Sequence, residues 1–93
     1  MGWSQRFASL ASNADMTVGI IGLGYVGLPT AIGFHDAGFT VWGVDVSQRT
    51  VDMVRAGKNP TGDPDVDDIV PQPGIERWHI TTSTAEAVPQ CDI

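Results

Sequence analysis

The chain has 93 residues, enough for one small domain and too few for a two-domain enzyme. Apolar residues make up 42% of it, so a core is possible, although a chain this short buries only about 60–65% of its unfolded surface. Five basic residues against eleven acidic ones give a formal charge of −6, and the scatter of Arg6, Arg49, Arg55, Lys58 and Arg77 excludes the basic patch that nucleic acid requires.

Residues 1–15 form an N-terminal extension. Trp3, Phe7 and Leu10 fall at helical spacing, which suits either a short amphipathic helix over 3–11 or a partly disordered extension with a few apolar residues, and Asn13-Ala14-Asp15 marks a break before the domain. Arg6 is the only positive charge there and no long apolar run follows it, so no signal peptide is predicted. No stretch approaches the roughly 18 apolar residues of a membrane span. Cys91 is the single cysteine, which rules out an intrachain disulfide and fits a reducing, cytoplasmic setting.

Residues 17–22 (Thr-Val-Gly-Ile-Ile-Gly) are apolar and β-branched, as expected for a strand buried on both faces of a parallel sheet. A helix is expected over 25–37, with Val26, Ala31, Ile32 and Phe34 as apolar positions. Pro29 sits in its first turns, where a missing N–H costs least, and Gly38 ends it. Residues 39–45 form a second strand closed by Asp45. Ser47 is a good N-cap for a second helix, with Val51, Val54 and Ala56 on one side and Gly57 as its stop. Residues 58–75, rich in Pro, Gly and Asp, are expected to be an irregular loop anchored by Ile69 and Val70. Trp78-His79-Ile80-Thr81 is a third strand. Thr84 is expected to cap a short helix through Ala87, and Cys91-Asp92-Ile93 opens a fourth strand. The order βαβαβαβ, with the last strand incomplete, is that of a doubly wound Rossmann-type α/β sheet.

Gly22-Leu23-Gly24-Tyr25-Val26-Gly27 reads G-x-G-x-x-G. The pattern alone is weak, but here it follows an apolar strand, opens a helix, and is followed by a second strand that ends in an acid 18 residues past Gly27. Gly22 permits the turn off the strand, Gly24 lets the backbone approach a pyrophosphate, and Gly27 lets the helix pack on the strand. N–H groups near Tyr25 and Val26 then face the phosphates, aided by the helix dipole. Asp45 is expected to accept from the adenosine ribose hydroxyls and to repel a 2′-phosphate, which favours NAD over NADP. Arg49 is positioned to cover the adenine or to soften that discrimination.

The stretch from Val18 to Pro29, together with Gly43-Val44-Asp45-Val46 and the helix from Val51 to Gly57, resembles the N-terminus of the UDP-glucose/GDP-mannose dehydrogenase family. Gly-Tyr-Val-Gly-Leu-Pro is the most distinctive part, and the branch that includes UDP-N-acetylmannosamine dehydrogenases is the most similar. The resemblance covers residues 17–93. It implies an NAD-dependent enzyme, a homo-oligomer at full length, that oxidises the C6 alcohol of a UDP-sugar to a carboxylate and reduces two NAD. It implies cofactor-binding roles for Gly22, Gly24, Tyr25, Val26, Gly27 and Asp45, with Arg49 as a looser candidate. Residues 16–93 are then the front part of an NAD-binding domain, and no catalytic residue falls within them. Residues 58–75 depart from the family's usual apolar-acidic loop.

Other reactive residue types have plainer readings. Cys91 opens a buried strand without a neighbouring lysine or histidine, which marks a small core residue and not a nucleophile. His35 and His79 lack metal-ligand spacing. Asp63, Asp65, Asp67 and Asp68 lack the glycine and glutamate of a calcium loop and read as a solvated run. Two rival functions stand beside the first: a β-hydroxyacid dehydrogenase domain, and a non-catalytic nucleotide-binding module.

Overall fold

The computed structural model describes residues 16–93; the helix expected over 3–11 lies outside them. Three strands, β1 (Thr17–Ile21), β2 (Thr40–Val44) and β3 (Trp78–Thr81), form a parallel sheet in the order β1-β2-β3. Val18 lies opposite Val41, and Val41 opposite Trp78, so the apolar positions of the three strands stack in register. The helices are α1 (Gly27–Asp36), α2 (Gln48–Arg55) and the single-turn α3 (Thr84–Ala87).

Residues 91–93 approach β1 on its other side. The Asp92 and Ile93 N–H groups donate to the Thr17 carbonyl at 2.8 and 3.3 Å, and the Gly19 N–H donates to the Ile93 carbonyl at 2.9 Å. This is the start of a parallel ladder, and the Asp92 carboxylate reinforces it by accepting from the Thr17 N–H at 2.8 Å. The spatial order is therefore β3, β2, β1, then 91–93, with a reversal of direction beside β1. Parallel crossovers are almost always right-handed, so a reversal of direction moves the connecting helix to the opposite face. The two connections on one side of β1 place α1 and α2 on one face, where Leu28, Ala31, Ile32, Val51 and Val54 pack with Val41 and Ile80. The connection through α3 crosses to the other face, where Ala87 lies with Val44 and Cys91.

The doubly wound α/β sheet expected from the sequence is thus present, with several local differences. α1 begins at Gly27, not at residue 25, because residues 24–26 are a turn off β1; Val26 is 79% exposed and is not one of the core positions. The cap of α3 is Ser83, whose Oγ accepts from the Glu86 N–H at 3.1 Å, while Thr84 is already helical. Ala56 is exposed at the end of α2. In the long loop, Pro64–Val66 forms a 3₁₀ turn started by Asp63. Val66 and Val70, four residues apart, are the buried anchors, whereas Ile69 is 48% exposed. Val66 and Val70 join the cluster of Leu28, Ile32, Val51 and Val54, whereas Ile69 faces outward. The departure of residues 58–75 from the family's pattern therefore does not stop this segment from closing the core.

Candidate cofactor-binding site

The reversal of strand order beside β1 marks the carboxyl end of β1 as the place where doubly wound sheets bind ligands. The glycine turn stands there. The Gly22 N–H still donates to the Val44 carbonyl at 2.7 Å, so the sheet holds the turn's first residue. Gly22 then takes φ +93°, a left-handed conformation that costs a side-chain-bearing residue about 1–2 kcal/mol. A Cβ on Gly27 would overlap the Gly22 carbonyl, so the helix can start this close to the turn only with glycine at position 27. A Cβ on Gly24 meets no atom within 4 Å. Its bareness serves nothing inside the described residues, and the open space beside it is room for a ligand.

α1 has no side-chain N-cap, unlike α2 and α3, which are capped by Ser47 and Ser83. The carbonyls of Gly24 and Val26 accept from Leu28 and Thr30, but the N–H groups of Gly24, Tyr25, Val26 and Gly27 have no acceptor among the described residues. Residues 24–26 are exposed, and Tyr25 is 68% so. Four donors without acceptors thus lie with the positive end of a helix dipole, worth roughly half a unit charge, at an open surface. That arrangement suits an anionic oxygen cluster such as a diphosphate.

Asp45 follows β2 and reaches across to the same turn. Its Oδ2 accepts from the Leu23 N–H at 2.9 Å and its Oδ1 from the Ser47 N–H at 2.9 Å. A carboxylate has about four acceptor positions, so two remain for outside donors, and the held geometry removes the rotamer cost of presenting them. The Asp45 N–H donates to the Thr81 carbonyl at 3.2 Å, which brings the Thr81-Thr82-Ser83 turn alongside. Arg49 lies exposed in the first turn of α2, four residues past Asp45, and forms no hydrogen bond within the described residues. The structure thus gathers Gly22, Gly24, Tyr25, Val26, Gly27 and Asp45 at one end of the sheet, with Arg49 at its margin. Such a surface fits a dinucleotide: open space over Gly24, unused N–H donors for phosphate, and a braced carboxylate for vicinal hydroxyls.

The family model for the NAD binding domain of the UDP-glucose/GDP-mannose dehydrogenase family matches residues 16–93. The chain belongs to that family. Among its relatives, UDP-N-acetyl-D-mannosamine dehydrogenase of Escherichia coli K12 is 38% identical over 68 residues, 73% of this chain and 16% of the relative. GDP-mannose 6-dehydrogenase of Pseudomonas savastanoi pv. phaseolicola is 36% identical over 80 residues, 84% of this chain and 18% of the relative. The solved structure of a UDP-glucose dehydrogenase from the hyperthermophilic archaeon Pyrobaculum islandicum superposes with a TM-score of 0.75 at 30% identity, over 87% of this chain and 19% of that one. The chain therefore spans less than a fifth of the length of these relatives, and residues 16–93 belong to the NAD binding domain of the UDP-glucose/GDP-mannose dehydrogenase family.

The remaining reactive side chains lie elsewhere. The Cys91 thiol packs over Gly19, donates to the Ala87 carbonyl at 3.2 Å, and has its pKa raised by burial and by the neighbouring Asp92. It is half-buried and not fully enclosed, and it is held as a thiol, the wrong state for a nucleophile. His35 bonds the Glu76 carbonyl at 2.8 Å and stands edge-on to Trp78, while His79 stacks on Trp42 at 4.6 Å. The acidic run is only partly solvated as expected: Asp63 and Asp67 are acceptors inside the loop. Sequence reasoning missed the Leu23 and Ser47 N–H groups that brace Asp45, because backbone donors leave no signature in residue type.

Proposed function

We propose that the glycine turn carries NAD, with the diphosphate on the N–H groups of Gly24, Tyr25, Val26 and Gly27, the adenosine ribose hydroxyls on Asp45, and Arg49 over the adenine. What supports this reading most is the uncapped, outward-facing start of α1 beside a carboxylate already fixed in place. Arg49 adds to it. A cation in the first turn of a helix opposes the dipole at a cost of about 0.3–1 kcal/mol, which a ligand's electron-rich ring would offset. The Asp45 carboxylate repels a 2′-phosphate, so NAD is bound in preference to NADP.

In the full-length protein this domain supplies the hydride acceptor for oxidation of the C6 alcohol of a UDP-sugar to a carboxylate. That is a four-electron change, so two NAD are reduced for each sugar, and water supplies the second carboxylate oxygen. The substrate contacts and catalytic groups belong to other segments, and the working enzyme is a cytoplasmic homo-oligomer. The test is a stoichiometric assay of the full-length protein with UDP-N-acetylmannosamine, UDP-glucose and GDP-mannose. Two NADH per UDP-sugar is the expected result. One NADH per turnover on a β-hydroxyacid, with none on any nucleotide sugar, would replace this reading with that of a hydroxyacid dehydrogenase.

A further inference from the structure

A second segment reaches the carboxyl end of β1. After α2 the chain climbs back from Gly57 to the glycine turn, and the site of a Cβ on Gly62 lies 3.8 Å from the Tyr25 hydroxyl. Gly62 takes φ +77°, so the chain reverses at this point of approach. The reversal is fixed by one side chain. The Asn59 Nδ2 donates to the Asp63 carbonyl at 2.7 Å and to the Asp67 carboxylate at 2.8 Å. Its Oδ1 accepts from the Thr61 N–H at 2.9 Å and from the Thr61 hydroxyl at 2.6 Å. The Thr61 hydroxyl in turn accepts from the Asp63 N–H at 3.1 Å. Both donors and the acceptor oxygen of the amide are thus spent on three residues of one loop. Asn59 and Thr61 are half-buried, whereas Gly62 and Tyr25 are exposed, so the loop presents a rigid tip to the ring that leaves the glycine turn.

We propose that Asn59 is a positioning residue for the cofactor: it holds the 59–63 loop against Tyr25, and loop and ring together wall the groove over the second phosphate and the nicotinamide ribose. This role presupposes NAD at the glycine turn. Asp45 serves the adenosine end of the same ligand and is braced independently, by Leu23 and Ser47, so disturbing Asn59 leaves that end intact. A purely structural Asn59 would affect every ligand of the domain alike. A positioning Asn59 affects only ligands that extend past the first phosphate.

Isothermal titration of the full-length protein with NAD and with AMP separates these cases, using wild type, Asn59→Ala and the near-isosteric Thr61→Val. Asn59→Ala is expected to weaken NAD about tenfold and AMP by less than about twofold, and Thr61→Val to act in the same sense but less strongly. Equal losses for NAD and AMP, or unchanged NAD affinity in both variants, would overturn the positioning role while leaving the NAD reading in place. A wild-type protein that binds AMP but not NAD would overturn the NAD reading, and the role of Asn59 with it.

Discussion

At Gly27 a single missing carbon decides how the site is built. The fingerprint alone assigns this glycine to helix packing, and the structure names what it packs against, the Gly22 carbonyl. Gly27→Ala must push α1 off the turn. Overpacking of this kind costs about 1–3 kcal/mol, to be read from urea unfolding, and NAD affinity should fall with it because the N–H groups move together. Cys91 makes the opposite case. Its plain reading was legible from its lack of basic neighbours, but its bond to Ala87 and its place over Gly19 were not, since both depend on how 91–93 joins β1. Burial first, and Asp92 second, raise its pKa. The folded state therefore holds the thiol proton more tightly than the unfolded state does. This stabilises the fold below the ordinary thiol range near 8.5, and the contribution is lost as pH rises through the folded pKa. Iodoacetamide labelling of the native protein should accordingly turn on at higher pH than labelling of the urea-unfolded chain. Coincident pH profiles would contradict it.

At the level of elements, β1, β2, β3, α1 and α2 were legible because their apolar spacing and their Gly, Pro and Ser punctuation agree. The boundaries that shifted did so where local backbone conformation at a helix start overrides residue type. Val26 has helical spacing but lies in the turn, and Ser83 takes the cap expected of Thr84 because its extended backbone aims Oγ at the Glu86 N–H. Arg77 was illegible altogether. It sits at φ 65° ahead of β3, and its guanidinium bonds the Phe39 carbonyl at 3.0 Å, tying the end of α1 to the start of β3. The long loop separates two kinds of apolar residue that sequence cannot distinguish. Val66→Ala is expected to destabilise by about 2 kcal/mol because Val66 is 2% exposed in the core, whereas Ile69→Ala should stay within about 0.5 kcal/mol. Equal effects in chemical denaturation would show that the loop is anchored otherwise.

Across the whole molecule the two faces of the sheet differ. α1 and α2 cover one face, over the core cluster. Among the described residues the other carries the single turn of α3 and the 3₁₀ turn Val88–Gln90, and Ile21, Val88 and Ile93 are 66%, 60% and 57% exposed around a cavity of about 290 Å³. An apolar surface of this kind drives association. A polypeptide of residues 16–93 is expected to self-associate in light scattering at micromolar concentration and to bind NAD weakly, and Val88→Glu should reduce the association. A monodisperse wild-type monomer with tight NAD binding would favour a free-standing nucleotide-binding module. Ile21 on that face directly precedes the glycine turn, whereas the cavity of about 320 Å³ beside Trp42, Arg55, Trp78 and His79 shares no residue with the turn. Amide NMR of the full-length protein during NAD titration, read at the amides of this domain, tests most directly where the cofactor lies. The largest shifts are expected at Gly24, Tyr25, Val26 and Gly27, with a second group at Leu23, Asp45 and Ser47. Shifts confined to His79, Ile80 and the 72–75 segment, with the glycine turn unmoved, would contradict it.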